Sequence, residues 1–168
     1  MLAADRRAAR AGQLTCDLLV VGGGIAGCWA ALKGARAGLS TILLEKTEIG
    51  AGASGGFLGA LMPHMPERWN GKKDFQFRGL VSLQREIATL ESRTGMECGY
   101  ARAGRLIPLA SEGQRQAAIA RIADAEANWG AKYKFSVVDE PAGDGWPDVS
   151  AMPHGAVHET LSARGGPR

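Results

Sequence analysis

Apolar runs and small residues alternate near the start of the chain in an order that predicts strand, helix and strand. LLVV (Leu18–Val21) is apolar at every position, as expected of a strand buried on both faces of a parallel sheet. The stretch CWAALKGARAG predicts a helix over about residues 25–37, and TILLE predicts a second strand over residues 41–45. Strands joined through one helix are expected to be parallel neighbours, with the first strand central in its sheet.

Farther along, apolar residues recur at helical spacing between residues 77 and 94, and Gly95 provides the stop. Residues 104–110, 133–139 and 155–160 are typical of strands, and Ser111 is expected to cap a helix that ends before Gly130. The last eight residues, LSARGGPR, offer little to bury. The order of elements predicts an α/β protein.

The composition allows one domain with a core and part of another. Lys and Arg number 20 against 17 Asp and Glu in 168 residues, and a net charge of +3 is too small and dispersed for a nucleic-acid-binding surface. No apolar run approaches the ~18 residues of a membrane span. Cys16, Cys28 and Cys98 lack metal-ligand spacing, and their odd number without a secretory leader indicates reduced thiols. We expect a cytoplasmic protein with no metal site.

The first strand runs directly into GGGIAG, a dinucleotide-binding signature in its expected context. Gly22 permits the tight turn, Gly24 lets the backbone approach a pyrophosphate, and Gly27 lets the helix lie close to the sheet. Ile25 and Ala26 open the helix, where free N–H groups are expected to face the phosphates. The pattern therefore predicts a parallel βαβ unit that binds a nucleotide.

Two features after the second strand extend this prediction. Glu45 lies 18 residues beyond Gly27, close to the spacing of about 20 at which an acidic side chain binds a ribose hydroxyl, and its charge opposes a 2′-phosphate. The glycine-rich loop of residues 50–56 then offers backbone N–H donors and the Ser54 hydroxyl to the rest of a pyrophosphate or the chain beyond it. The alternative is that this loop is a flexible linker.

GGGIAG, Glu45 and GASGGFLGALMP together resemble the FAD-dependent oxidoreductases of the D-amino acid oxidase type, which include glycine oxidase and sarcosine oxidase. The likeness covers about residues 16–160, and GYARAGRLIPL is a softer part of it. It implies a Rossmann-like FAD-binding fold. Its implied FAD-binding residues are Gly22, Gly24, Ile25, Ala26, Gly27 and Glu45 with Lys46 adjacent at the ADP part, and Ala53, Ser54 and Gly55 beside the pyrophosphate and flavin.

The resemblance also implies a reaction, in which hydride leaves the carbon bearing an amine and passes to the flavin. In that family, arginine and tyrosine residues from the second half of the chain bind the substrate carboxylate, and this sequence has no counterpart to them. We therefore expect an N-terminal fragment, completed by a C-terminal half that is covalent or separate. Its expected parts are a disordered tail (1–15), the FAD-binding βαβ unit and flavin-side loop (16–75), elements leading into a substrate domain (76–160) and a truncated tail (161–168).

Two other functions stay open at this point: a nicotinamide-binding dehydrogenase module, which the glycine-rich loop after Glu45 disfavours, and an inactive nucleotide-binding fragment. No residue is assigned to catalysis. His64 has no carboxylate beside it in sequence, and a structural role is expected. Arg102 and Arg105 alternate at strand spacing and are expected to lie on a solvated face.

Overall fold

The computed structural model describes residues 14–140 and 147–166. The chain divides into two compact units, Met1–Gly56 and Phe57–Arg168. The first unit ends at Gly56, which lies within the FAD-binding part that the sequence predicts over residues 16–75. Most of the predicted N-terminal tail, and most of the predicted loop PAGDGWPD, lie outside the described residues.

The first unit is built on the predicted strand, helix and strand. Strand β1 (Leu18–Val21) is followed by helix α1 (Ile25–Arg36) and strand β2 (Thr41–Leu44). The two strands are parallel neighbours, paired from Leu18 with Thr41 to Val21 with Leu44, so this prediction is confirmed. The central position predicted for β1 is not seen, because the sheet formed by the described residues has two strands.

Helix α1 covers one face of this sheet. Gly34 is buried, and a Cβ there would lie 2.5 Å from Leu18 Cδ2, so a larger residue would require the Leu18 side chain to move. Leu18 is half-buried on that face, whereas Leu19 and Val21 alternate with it and are 54% and 79% exposed. Leu44 at the end of β2 is 51% exposed. One face of the sheet is therefore packed and the other is apolar and exposed.

In its described residues, the second unit contains two antiparallel sheets and three α-helices. Its elements are β3 (Gly59–Leu61), α2 (Gly71–Thr94), β4 (Arg105–Pro108), α3 (Glu112–Ala120), α4 (Ile122–Trp129), β5 (Phe135–Val138), β6 (Ala156–Glu159) and β7 (Ala163–Gly165). Strand β6 pairs with both β4 and β5, and β3 pairs with β7. The strands predicted near residues 104–110, 133–139 and 155–160 thus form one sheet.

Helix α2 begins earlier than its apolar periodicity predicted. The Asn70 side chain caps the helix by accepting hydrogen bonds from the N–H groups of Lys72 and Lys73, at 3.1 and 3.2 Å. The helix therefore begins at Gly71, six residues before the predicted start at residue 77. Its end is as predicted, because Gly95 adopts the left-handed conformation with φ 69°. The Ser111 cap is also present, since its hydroxyl accepts from Gln114 N–H at 3.3 Å.

The core of the second unit contains aromatic residues from α2, α4, β5 and the turn before β5. Trp129 and Phe135 meet edge-to-face at 5.8 Å, and Phe77 meets Tyr133 in the same way at 6.0 Å. Leu161, from the segment in which little burial was expected, belongs to this core and is fully buried. That segment also supplies β7, so residues 161–166 are an integral part of the fold.

Candidate nucleotide-binding site

The turn after β1 requires glycine at two positions for its own geometry. Gly22 has φ 106°, in the left-handed region, and its N–H donates to Leu44 O at 2.8 Å. At Gly27 a Cβ would lie 1.9 Å from Gly22 O, a distance that no side chain permits. These two glycines therefore bring the first turn of α1 against the end of β1.

Gly24 is different, because the fold does not need a glycine there. Its φ of −74° and ψ of 177° suit any residue, and a Cβ would meet only Ser54 Oγ, at 3.2 Å. The space beside its Cα is open to an incoming group. The backbone conformation at Gly24 and its surroundings therefore do not require a glycine at this position.

The N-terminus of α1 fits an anion. Gly24 is the N-cap and provides no side-chain cap, and the first turn contains no acidic residue. The first bond of the helix runs from Cys28 N–H to Gly24 O at 2.9 Å, so the N–H groups of Ile25, Ala26 and Gly27 precede it. Ile25 N–H donates to Ser54 Oγ at 2.9 Å. The remaining N–H groups and the helix dipole favour a phosphate at this end.

Glu45 lies against the glycine-rich turn. Its Oε2 accepts Gly23 N–H at 2.6 Å, and its Oε1 accepts the N–H and the hydroxyl of Thr47 at 3.0 and 3.3 Å. The Gly23 N–H first, and then the Thr47 N–H, hold the pKa of this carboxyl below its ordinary value. The side chain is therefore an anion at neutral pH that already organises the turn.

The glycine-rich loop has a defined structure next to this turn. Gly50 N–H donates to Gly23 O at 2.9 Å, and a Cβ at Gly55 would lie 2.3 Å from Gly50 O. Between them, residues 53–55 form one turn of 3-10 helix (Ala53–Gly55), which aims Ser54 at the end of α1. These contacts favour a binding loop over the flexible linker that the sequence left open.

The structure thus places most predicted site residues around one turn. Those it brings together by contact are Gly22, Gly24, Ile25, Gly27, Glu45 and Ser54. Ala26 lies in the first turn of α1. Lys46, which follows Glu45, and Ala53 and Gly55 of the glycine-rich loop are exposed.

Gly23 and Thr47 were not predicted. A Cβ at Gly23 would lie 2.5 Å from Ile49 Cδ1. The available signal in the sequence was that Gly23 is also a glycine, although the motif asks for glycine only at the positions on either side of it. For Thr47, the signal was a short hydroxyl side chain two residues after the acid.

Arg102 and Arg105 do not lie on a solvated face, so that expectation was wrong. Arg102 donates to the carbonyl oxygens of Leu161 and Leu80 and, at 2.9 Å, to the Tyr100 hydroxyl. Arg105 Nε is 3.3 Å from Oε1 of the fully buried Glu159. Both side chains are half-buried, Arg102 against backbone oxygens and Arg105 in an ion pair with Glu159, and strand spacing alone does not reveal these partners.

Residues 17–165 match the sequence profile of the family described as DAO, FAD dependent oxidoreductase. A tRNA 5-methylaminomethyl-2-thiouridine biosynthesis bifunctional protein of Chromohalobacter salexigens is 36% identical over 84 residues, which are 49% of this chain and 12% of that protein. Gamma-glutamylputrescine oxidoreductase of Escherichia coli is 51% identical over 43 residues, or 26% of this chain and 10% of that protein.

The fold is similar to those of solved amino-acid-oxidising enzymes. Glycine oxidase from Geobacillus kaustophilus superimposes with a TM-score of 0.74 at 18% identity, over 90% of this chain and 41% of that one. L-Amino acid deaminase from Proteus vulgaris gives 0.64 at 20% identity, over 90% and 39%. The chain therefore spans about two fifths of these structures.

Within the described residues, no helix is long and apolar enough to cross a membrane.

Proposed function

The chain belongs to the FAD-dependent oxidoreductase family, whose cofactor is FAD, and from this membership we propose that it serves in the oxidation of an amine or amino acid. The fold class and the resemblance drawn from the sequence are confirmed. The names of a glycine oxidase, an L-amino acid deaminase and a gamma-glutamylputrescine oxidoreductase among its relatives support the substrate class.

The observation that carries the proposal is the open backbone at Gly24, the N-cap of α1, which has no side chain of its own to cap the helix. In the proposed site, Gly22, Gly24, Ile25, Ala26 and Gly27 hold the diphosphate. Neither the twisted turn nor the packing of the sheet explains a glycine at Gly24, whereas close approach of a diphosphate does.

The residues beyond this turn complete the proposed set. Glu45 is offered to the adenosine ribose with Lys46 beside it, and Ala53, Ser54 and Gly55 lie toward the flavin side. Bound FAD supplies a two-electron acceptor for hydride removed from the carbon bearing the amine, and water converts the resulting imine to a carbonyl compound and an amine or ammonia. The residues of this chain bind and orient the cofactor, and none is assigned a proton-transfer role.

Further polypeptide, covalent or separate, is proposed to complete the first unit. A parallel strand with apolar side chains on both faces is stable when both faces are covered, yet Leu19, Val21 and Leu44 are all more than half exposed. Residues 76–160 are proposed to lead into the substrate domain.

The free cysteines Cys16, Cys28 and Cys98 support a reducing, cytoplasmic location.

A spectroscopic experiment tests the substrate class. The complete native protein, in which this chain is joined by the proposed further polypeptide, is purified, loaded with FAD and mixed under anaerobic conditions with glycine, sarcosine, D-alanine and L-amino acids, with 2-hydroxy acids of matching size as controls. We expect at least one amine to bleach the oxidised flavin spectrum while its hydroxy analogue does not. Bleaching by hydroxy acids alone would reject the amine substrate class.

A further inference from the structure

The Glu45 carboxylate is largely occupied by its own loop. An ionised carboxylate has about four acceptor directions, two on each oxygen. Oε1 uses both of its directions on Thr47, whose N–H is at 3.0 Å and whose hydroxyl is at 3.3 Å. Oε2 uses one on Gly23 N–H at 2.6 Å. Both directions of Oε1 are therefore occupied, and Oε2 is the oxygen left for a ribose hydroxyl.

We infer that Thr47 is a positioning residue that restricts Glu45 to one hydroxyl of the adenosine ribose. This inference rests on the proposed binding of FAD at this site. A carboxylate with both oxygens free can accept both hydroxyls of a cis-diol, one on each oxygen. Here Thr47 saturates Oε1, so the second ribose hydroxyl receives no hydrogen bond from Glu45.

The two donors of Thr47 differ in how they can be removed. Its N–H belongs to the backbone of the turn, whereas its hydroxyl makes the longer bond and disappears in Thr47→Val with little change in side-chain size. Thr47→Val frees one acceptor direction on Oε1. Thr47→Ser keeps the hydroxyl and is the matched control.

The test measures how much each ribose hydroxyl contributes to binding. ADP, 2′-deoxy-ADP and 3′-deoxy-ADP compete with FAD for the full chain, with flavin fluorescence as the signal. Parent, Thr47→Val, Thr47→Ser and Glu45→Ala are compared, and thermal unfolding shows that each variant is folded. Comparison with Glu45→Ala isolates the part of each hydroxyl's contribution that passes through Glu45.

In the parent and Thr47→Ser, we expect removal of one hydroxyl to weaken binding about 5-fold or more through Glu45, and removal of the other to change it less than about 2-fold. In Thr47→Val both removals should weaken binding through Glu45. Equal Glu45-dependent losses for the two hydroxyls in the parent, or an unchanged one-sided pattern in Thr47→Val, would overturn the inference. If neither FAD nor ADP binds the parent, the proposed site itself is wrong, which is a separate result.

Discussion

Replacing Gly24 by alanine separates a glycine kept for a ligand from one kept for the fold. The backbone angles at Gly24 suit alanine, and the added Cβ would meet only Ser54 Oγ at 3.2 Å, the end of a side chain that needs to move by a few tenths of an ångström. Alanine is poorer than glycine as an N-cap by about 0.5–1 kcal/mol. Loss of a glycine from the unfolded chain stabilises by about 0.4–1 kcal/mol.

These two effects nearly cancel, so the free energy of unfolding of Gly24→Ala should stay within about 0.5 kcal/mol of the parent, or roughly 2 °C in Tm. FAD binding should suffer much more. A methyl group forced between backbone and diphosphate costs about 1–3 kcal/mol, which is roughly a 5- to 140-fold rise in Kd. The branched side chain of Gly24→Val should abolish binding.

Two variants serve as controls in the same FAD titration and thermal melt. Gly27→Ala places a Cβ 1.9 Å from a backbone oxygen and should lower Tm as well as FAD affinity, because the turn itself must shift. Gly79→Ala lies in α2 with no atom within 4 Å of the new Cβ, so it should raise stability slightly and leave FAD binding unchanged. Parental FAD affinity in Gly24→Ala would refute the reasoning.

Three further outcomes follow from the structure. Glu45→Ala should weaken FAD binding less than Gly24→Val, since it removes hydrogen bonds and creates no clash. Because hydrogen bonds lower the folded pKa of Glu45, its support of the turn should be present above the ordinary pKa of about 4.5 and be lost as pH falls through the lowered folded pKa, as amide exchange at Gly23 would show. Glu159→Gln should lower the free energy of unfolding, measured by urea melts, by about 1.5–3 kcal/mol because it breaks the buried pair with Arg105. Asp74→Asn breaks the exposed pair with Arg78 and should change the same quantity by less than about 1 kcal/mol. The 168-residue chain alone, loaded with FAD, should not oxidise glycine, sarcosine or D-alanine with dioxygen or an artificial acceptor. The reason is that the residues that position the substrate are expected outside this chain. Robust turnover would show that the chain is a complete catalyst.

The parts of the fold that local pattern determines were predictable from sequence. The apolar run of β1, the glycines after it and the acid after β2 belong to one continuous segment, and their spacing alone predicts the parallel pair and the helix between. Helix α2 shows the limit of periodicity, because its first turn depends on the Asn70 cap and not on an apolar stripe.

Contacts between distant segments were not predictable in the same way. Strand β7 pairs with β3, for example Ala163 with Leu61, about a hundred residues earlier. The local sequence LSARGGPR does not indicate that partner. At the site, spacing indicated Glu45, which lies against the glycine-rich turn, but it did not indicate the donors that Glu45 binds. Thr47 occupies Oε1 of this carboxylate with two donors, and that occupation becomes visible only from interatomic distances.

Equilibrium titration of the purified chain with FAD, with NAD⁺ as competitor, tests the central claim most directly. We expect saturable binding of one FAD per chain, seen as quenched flavin fluorescence, with NAD⁺ unable to displace it at comparable concentration and Gly24→Val showing no binding. Absence of saturable FAD binding, or tighter binding of NAD⁺ at the same Gly24-dependent site, would contradict the account.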